Sequence, residues 1–158
     1  MLLSRTLWYW GVLLDKPALA QNLEELRELW KLVFSKEHGR SAHEELPAKD
    51  HRTAGTLYYF DIKQGKAHPG VKVYLPVRHY GRSDLAIANG LRAFLKRRGH
   101  GARASNYLQA LERVAQMSVL RSCCGLQTYI GCSFAGGELR LTSYLAPEVY
   151  NLLSKDTS

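Results

Sequence analysis

Along "VKVYLPVRH", residues 71 to 79, aliphatic and polar letters alternate, with Val71, Val73, Leu75 and Val77 on one side and Lys72, Tyr74, Pro76 and Arg78 on the other. Period two is the mark of a strand with one face in the core and the other outside it. "TLYYFDIK" at 56 to 63 reads as its neighbour, joined through "QGKAHPG", a connection short enough for a hairpin. There the alternation sets Tyr58, Phe60 and Ile62 against Tyr59, Asp61 and Lys63. Upstream the period lengthens. From 18 to 34, Leu23, Leu26, Trp30 and Val33 recur at helical spacing, while Glu24, Glu25, Arg27, Glu28 and Lys31 fill an outer face. Downstream, "SDLAIANGLRAFLKRRG" predicts a helix capped by Ser83 that buries Leu85, Ala88, Leu91 and Leu95. Gly99 stops it after Lys96, Arg97 and Arg98, which suit the negative end of the helix dipole.

The order then repeats. Ser105 is the expected cap of a helix carrying Leu108, Leu111, Ala115 and Val119. "LQTYIGCSF" (126 to 134) and "ELRLTSYL" (138 to 145) follow as a hairpin across Ala135-Gly136-Gly137, and Pro147 opens a short helix, "PEVYNLLS". The expected class is α+β: tandem helix-strand-strand-helix units, about 18–99 and 104–154, with antiparallel strands. The first helix and first strand are separated by a long polar loop.

The second hairpin has the same two-sidedness. Gln127, Tyr129 and Ser133 share a face against Leu126, Ile130 and Phe134, and Glu138, Arg140, Thr142 and Tyr144 oppose Leu139, Leu141 and Leu145. Helices need an apolar sheet face to pack on, so the side bearing cations and phenols should look away from them. In a sheet curled into a barrel with its helices outside, that side would line a lumen. Cations there neutralise a phosphate or pyrophosphate, and tyrosine rings stabilise a nearby carbocation by roughly 0.5–2 kcal/mol each. For Lys72 or Arg140 taken alone, a solvated sheet face is the better explanation. The recurrence over three strands is what singles out a site.

Composition narrows the partners. The chain has 158 residues, 46% of them hydrophobic, which suits one soluble domain with a core. Lys and Arg outnumber Asp and Glu 22 to 14 and the pI is near 9.5, so an anionic partner is expected: a phosphate-bearing small molecule, nucleic acid or a membrane surface. Cys123, Cys124 and Cys132 form neither a disulfide framework nor a zinc spacing, and are read as reduced, buried and cytosolic. The nearest histidines, His38 and His43, sit in the polar loop and read as surface residues, so no metal is expected. "MLLSRTLWYWGVLLDKPALA" imitates a secretory leader, but Gly11 and the Asp15-Lys16-Pro17 break argue against one. No apolar run has the length of a membrane span, and a cytoplasmic location is expected.

From about Leu23 to Tyr150, the segments "KVYLPVRHYGRSDLAIA" and "TYI…SF…TSYL.PE" resemble the C-terminal part of the fungal indole prenyltransferases, the dimethylallyltryptophan synthase family. The resemblance implies a four-strand portion of an αββα barrel, with helices on the outer face and the active site in the lumen. It implies that Lys72 and Tyr74 match a strand whose polar side chains bind the donor's pyrophosphate, and that Tyr129 and Tyr144 match tyrosines that shield the allylic cation. Arg140 falls where a tyrosine often sits and is a separate, residue-based choice; Ala135 falls where some members carry arginine. The substrates implied are dimethylallyl diphosphate and tryptophan or another indole acceptor, with no cofactor and no metal. The sequence has no aspartate-rich magnesium motif, in keeping with this family.

Residues 1–17 do not resemble the family, and residues 18–158 read as its C-terminal part. No counterpart is found for the carboxylate base or for the other cationic strands, which the family's N-terminal half supplies. The expected product is therefore a truncated member with little activity alone, able to associate through exposed sheet edges or as a homo-oligomer. A non-catalytic remnant or assembly partner is the main alternative. A sheet binding single-stranded nucleic acid would use Lys72, Tyr74, Arg78, Tyr129 and Arg140, but the flanking helices resemble no nucleic-acid module, so neither nucleic acid nor membrane is expected as a partner.

Overall fold

The computed structural model describes residues 18–34, 56–65, 70–135 and 138–146. The first helix, α1 (Ala18–Phe34), has the expected bounds and turns Leu26, Leu29, Trp30, Val33 and Phe34 inward. Strand β1 (Leu57–Asp61) pairs antiparallel with β2 (Gly70–Leu75), from Leu57 opposite Tyr74 to Asp61 opposite Gly70. Both are shorter than the alternation suggested. Pro76 has no N–H to continue a ladder, and the chain turns at once into a 3-10 turn, Val77–His79. Arg78 therefore lies half-buried in the turn rather than in the strand.

Helix α2 (Asp84–Arg97) begins as expected, with the Ser83 hydroxyl accepting the Ala86 N–H at 3.2 Å. It ends at Gly99, whose φ of 76° is the left-handed conformation that glycine reaches without a Cβ clash. Its buried set is wider than the predicted stripe: Ile87, Ala88, Gly90, Leu91 and Phe94 are buried, while Leu85 and Leu95 are only partly so. The reason is position. This helix packs against α1 on one side and on the other against α3 (Gly101–Val114), so it needs two apolar flanks. At its crossing with α1, a Cβ on Gly90 would lie 2.3 Å from the Leu32 carbonyl oxygen; glycine alone allows that approach.

The expected helix from Ser105 to Val119 is two helices. The first starts at Gly101, so Ser105 is interior, its hydroxyl donating to the Gly101 carbonyl one turn back at 3.3 Å rather than capping. Ala115 is extended, and α4 (Met117–Ser122) resumes at an angle that brings Leu120 beside Ala88, Leu111 and Leu126 in a second apolar cluster. The final hairpin, β3 (Gln127–Ala135) and β4 (Glu138–Leu145), completes a sheet of order β1-β2-β3-β4, antiparallel throughout. The connecting Gly136-Gly137 and the expected helix after Pro147 lie outside the described residues.

The main core lies between this sheet and the helices. Val71, Val73, Leu75, Ile130 and Cys132 face Leu26, Trp30, Val33, Ile87 and Phe94, each buried aliphatic contributing about 1.5–3 kcal/mol. Tyr58 packs on this core from β1, settling that strand's facing: its even positions are on the helix side. The layer is tied at its rim by Arg98, which pairs with Glu25 and with Glu28 (3.1 Å) and lies 4.7 Å from the Phe94 ring. Arg97 binds Glu28 at 2.9 Å, and that hydrogen bond is the chief reason the Glu28 carboxyl is held below its ordinary value. Of the three cysteines only Cys132 is buried. Cys124 is exposed and Cys123 intermediate because the turn that carries them precedes β3, outside the core; all three are free thiols. Among the described residues no helix is long and apolar enough to cross a membrane, and no group of three or more His, Cys, Asp or Glu is placed to hold a metal ion.

Candidate functional site

The face of the sheet turned away from the helices is ordered in rows. Register places Tyr59, Lys72, Ser133 and Arg140 side by side across the four strands. The next row is Leu57, Tyr74, Gly131 and Thr142, and beyond it Tyr129 lies opposite Tyr144. With strands about 4.8 Å apart and two-residue steps of about 6.8 Å, Lys72, Tyr74, Tyr129, Tyr144 and Arg140 occupy a patch roughly 10 by 14 Å. The five residues singled out from sequence are therefore brought together on one face.

The tyrosines touch. The Tyr74 ring lies edge-on to Tyr129 at 6.3 Å between centroids and tilted against Tyr144 at 5.6 Å. A hydrogen bond with Tyr144 is the main reason the Tyr74 phenol is held above its ordinary value, with partial burial adding to it. Lys72 reaches over the Tyr59 ring, Nζ to centroid 6.0 Å, an aromatic neighbour that the sequence reading left out of the site. Gly131 was missed as well. A Cβ there would sit 3.1 Å from Tyr144 Cε2 and 3.4 Å from Tyr74 Cε1, so its lack of a side chain is what lets both rings lie down on β3. The alternation marks position 131 only as a gap, since ring placement over it depends on the neighbouring strands.

One assignment is overturned. Gln127 was expected beside Tyr129, but the register shifts between them: Gln127 pairs with Leu145 and Tyr129 with Tyr144. The extra residue, Thr128, makes a β-bulge, and its hydroxyl donates to the Tyr144 carbonyl at 3.1 Å. Gln127 is thus turned to the helix side and fully buried. There its Nε2 donates to the Asp84 carbonyl at 2.6 Å, and its Oε1 accepts from the Tyr107 hydroxyl, which also lies 3.2 Å from Ser143 Oγ. The Asp84 carboxylate, at the first turn of α2, accepts the Gln127 N–H at 2.8 Å and the Leu126 N–H at 3.2 Å. Asp84, Tyr107 and Gln127 therefore clamp the start of β3, and the bulge they hold decides that Tyr129 points to the tyrosine patch. Burial pushes the Tyr107 phenol up to about 12.

Beside this geometry stand the comparisons. The sequence matches the profile of the tryptophan dimethylallyltransferase family over residues 4–110, more than half of the chain. The chain belongs to that family, whose members are aromatic prenyltransferases. The match takes in most of the segment 1–17 that bore no visible resemblance. Among curated relatives, a 4-O-dimethylallyl-L-tyrosine synthase of Claviceps purpurea is 40% identical over 128 residues, covering 80% of this chain and 29% of the relative. A 7-dimethylallyltryptophan synthase of Aspergillus fumigatus is 37% identical over 132 residues, covering 83% and 27%. Of solved structures, AnaPT from Neosartorya fischeri aligns with TM-score 0.67 at 24% identity over 90% of this chain and 32% of that one. NotF, in complex with brevianamide F and DMSPP, aligns with TM-score 0.68 at 20% identity over 92% and 33%. The fold is shared with these prenyltransferases, and the chain spans about a third or less of the length of the relatives it matches.

Proposed function

We propose that the tyrosine-bearing face is the prenyl-diphosphate side of an aromatic prenyltransferase site, one arc of a barrel lumen. Lys72 and Arg140, in one row, hold the diphosphate of dimethylallyl diphosphate. Tyr74, Tyr129 and Tyr144 stand over the allylic carbon. As the C–O bond breaks, pyrophosphate leaves with the electron pair into the cationic row, and the allyl cation is held against ring faces that stabilise it and exclude water. An electron-rich aromatic carbon of the acceptor attacks the cation, and a base takes the ring proton to restore aromaticity. The acceptor is of the indole or tryptophan type in this reading, and a relative named for tyrosine makes a phenol the nearest rival.

One observation carries the proposal: in adjacent rows of one face, three tyrosines meet within ring contact beside the row that holds Lys72 and Arg140. A nucleic-acid role draws less support, because one of its expected cations, Arg78, lies in the 3-10 turn after β2 and outside the strand ladder. The acceptor base is expected from residues this chain does not contain, so the chain alone should give little or no prenylated tryptophan or tyrosine by mass. Its donor side is testable directly. Titration calorimetry with inorganic pyrophosphate should show binding that Lys72→Ala and Arg140→Ala each weaken several-fold. Affinity unchanged by both substitutions would remove the diphosphate from this face.

A further inference from the structure

Ser133 is the direct cross-strand neighbour of both cations of the candidate site. Register pairs it with Lys72 on β2 and with Arg140 on β4. Cys132 beside it is fully buried on the helix side, so alternation turns the Ser133 side chain to the tyrosine face, where it is half-buried. The hydroxyls of Ser83, Ser105, Ser122, Thr128 and Ser143 each bond within the protein. Among the described residues the Ser133 hydroxyl has no such partner, and neither Lys72 nor Arg140 makes an ion pair. The Asp61 carboxylate, on the same face of β1, is held by Lys63 at 3.1 Å. Two cations and a hydroxyl thus stand in one row with their hydrogen-bonding capacity unspent.

We propose that Ser133 is a further ligand of the diphosphate, donating a neutral O–H between the two cations. The inference rests on the diphosphate reading of this face. Adjacent strands lie about 4.8 Å apart, so the Lys72 and Arg140 backbones stand roughly 9.6 Å from each other with Ser133 midway. An anion held by both long side chains lies over β3, and Ser133 is the short side chain beneath it. The row of Tyr74 and Gly131 is one two-residue step away, about 6.8 Å, so phosphate oxygens over Ser133 leave the prenyl carbon beside the tyrosines. When the C–O bond of the donor breaks, both electrons stay on the pyrophosphate oxygen. A hydrogen bond from a fixed hydroxyl to that oxygen strengthens as the charge grows, and no proton has to move.

Titration calorimetry of the full chain with inorganic pyrophosphate, at low and high sodium chloride, tests this. Ser133→Ala should weaken binding roughly tenfold, the lower range for a hydrogen bond to a charged acceptor. Its salt dependence should match that of the native chain, since no charge is removed, whereas Lys72→Ala should flatten it. Ser133→Thr keeps the hydroxyl, suits a strand and should bind as the native chain does. The urea midpoint of Ser133→Ala should not move, because the hydroxyl has no partner in the described fold to lose.

Weakening by Lys72→Ala and Arg140→Ala with none by Ser133→Ala would overturn the role of Ser133 and leave the diphosphate on this face. Equal losses in Ser133→Ala and Ser133→Thr would overturn it too, since packing and not the hydroxyl would then be at work. No binding by the native chain, or none of the three alanine variants weaker than it, would remove the diphosphate itself and this proposal with it.

Discussion

Replacing Asp84 by alanine removes a fully buried carboxylate that holds two elements together. In the native fold its oxygens accept the Gln127 N–H at 2.8 Å and the Leu126 N–H at 3.2 Å, while its own N–H donates to the Cys123 carbonyl at 3.0 Å. The last bond survives the substitution and the first two do not. Hydrogen bonds to a charged acceptor contribute about 1.5–3 kcal/mol each, and a carboxylate in the first turn of a helix adds about 0.3–1 kcal/mol through the dipole. Asp84→Ala should therefore cost roughly 3–7 kcal/mol, a large share of the 5–15 kcal/mol that holds a typical domain together. Asp84→Asn keeps one acceptor for the two donors and should fall between. The assay is urea unfolding followed by circular dichroism, comparing midpoints at equal m-value. Because the same carboxylate anchors the bulge that aims Tyr129, the Tyr129 ring should also lose its contact with Tyr74, read from tyrosine ring chemical shifts. A loss under about 1 kcal/mol for Asp84→Ala would refute the view that these bonds organise the start of β3.

Gly90→Ala sets two effects against each other: alanine favours a helix by about 1 kcal/mol, but its Cβ would meet the Leu32 carbonyl oxygen at 2.3 Å and Val33 Cα at 2.9 Å, all backbone. Overpacking of this kind costs about 1–3 kcal/mol or more, so the melting temperature should fall; a rise would show that the helices part freely. In thiol labelling at pH 8, Cys124 should react at once, whereas Cys132, buried and with its thiol pushed up to about 12, should react only on unfolding; one common rate for all three would contradict the packing. Tyr107→Phe should cost about 1–3 kcal/mol at neutral pH, since the buried Gln127 Oε1 loses its donor. The Tyr107 phenol is raised from 10.0 to about 12, so its contribution is complete below pH 10 and drains away between 10 and 12, where the unfolded chain ionises first. The variant should show a shallower alkaline decline in melting temperature, and an equal slope would count against this assignment.

Much of the architecture was legible in the letters because it rests on local periods. The bounds of α1, the Ser83 cap, the Gly99 stop and the facing of β2 and β4 follow from residue spacing and from what each side chain can do within a turn or two. The resemblance to a family was carried by the residues of β2, α2, β3 and β4, and the comparisons agree with it. Period counting failed where a nearby turn or proline cut the pattern short. Ser105 could cap a helix, but the turn at Gly99 had already started one at Gly101. Arg78 continued the alternation, but Pro76 ended the ladder.

The sequence by itself determined which side chains share the sheet face turned from the helices: Lys72, Tyr74, Tyr129, Tyr144 and Arg140 each follow from strand alternation. Only the tertiary structure decided how they stand to one another. Alternation fixes the face of a residue within its own strand, whereas the rows depend on register between strands distant in sequence. A bulge can change that register, and here Asp84, Tyr107 and Gln127 hold one from the helix side. Gly131 shows the same division, since nothing local to it indicates that two rings from neighbouring strands come to rest above its missing side chain.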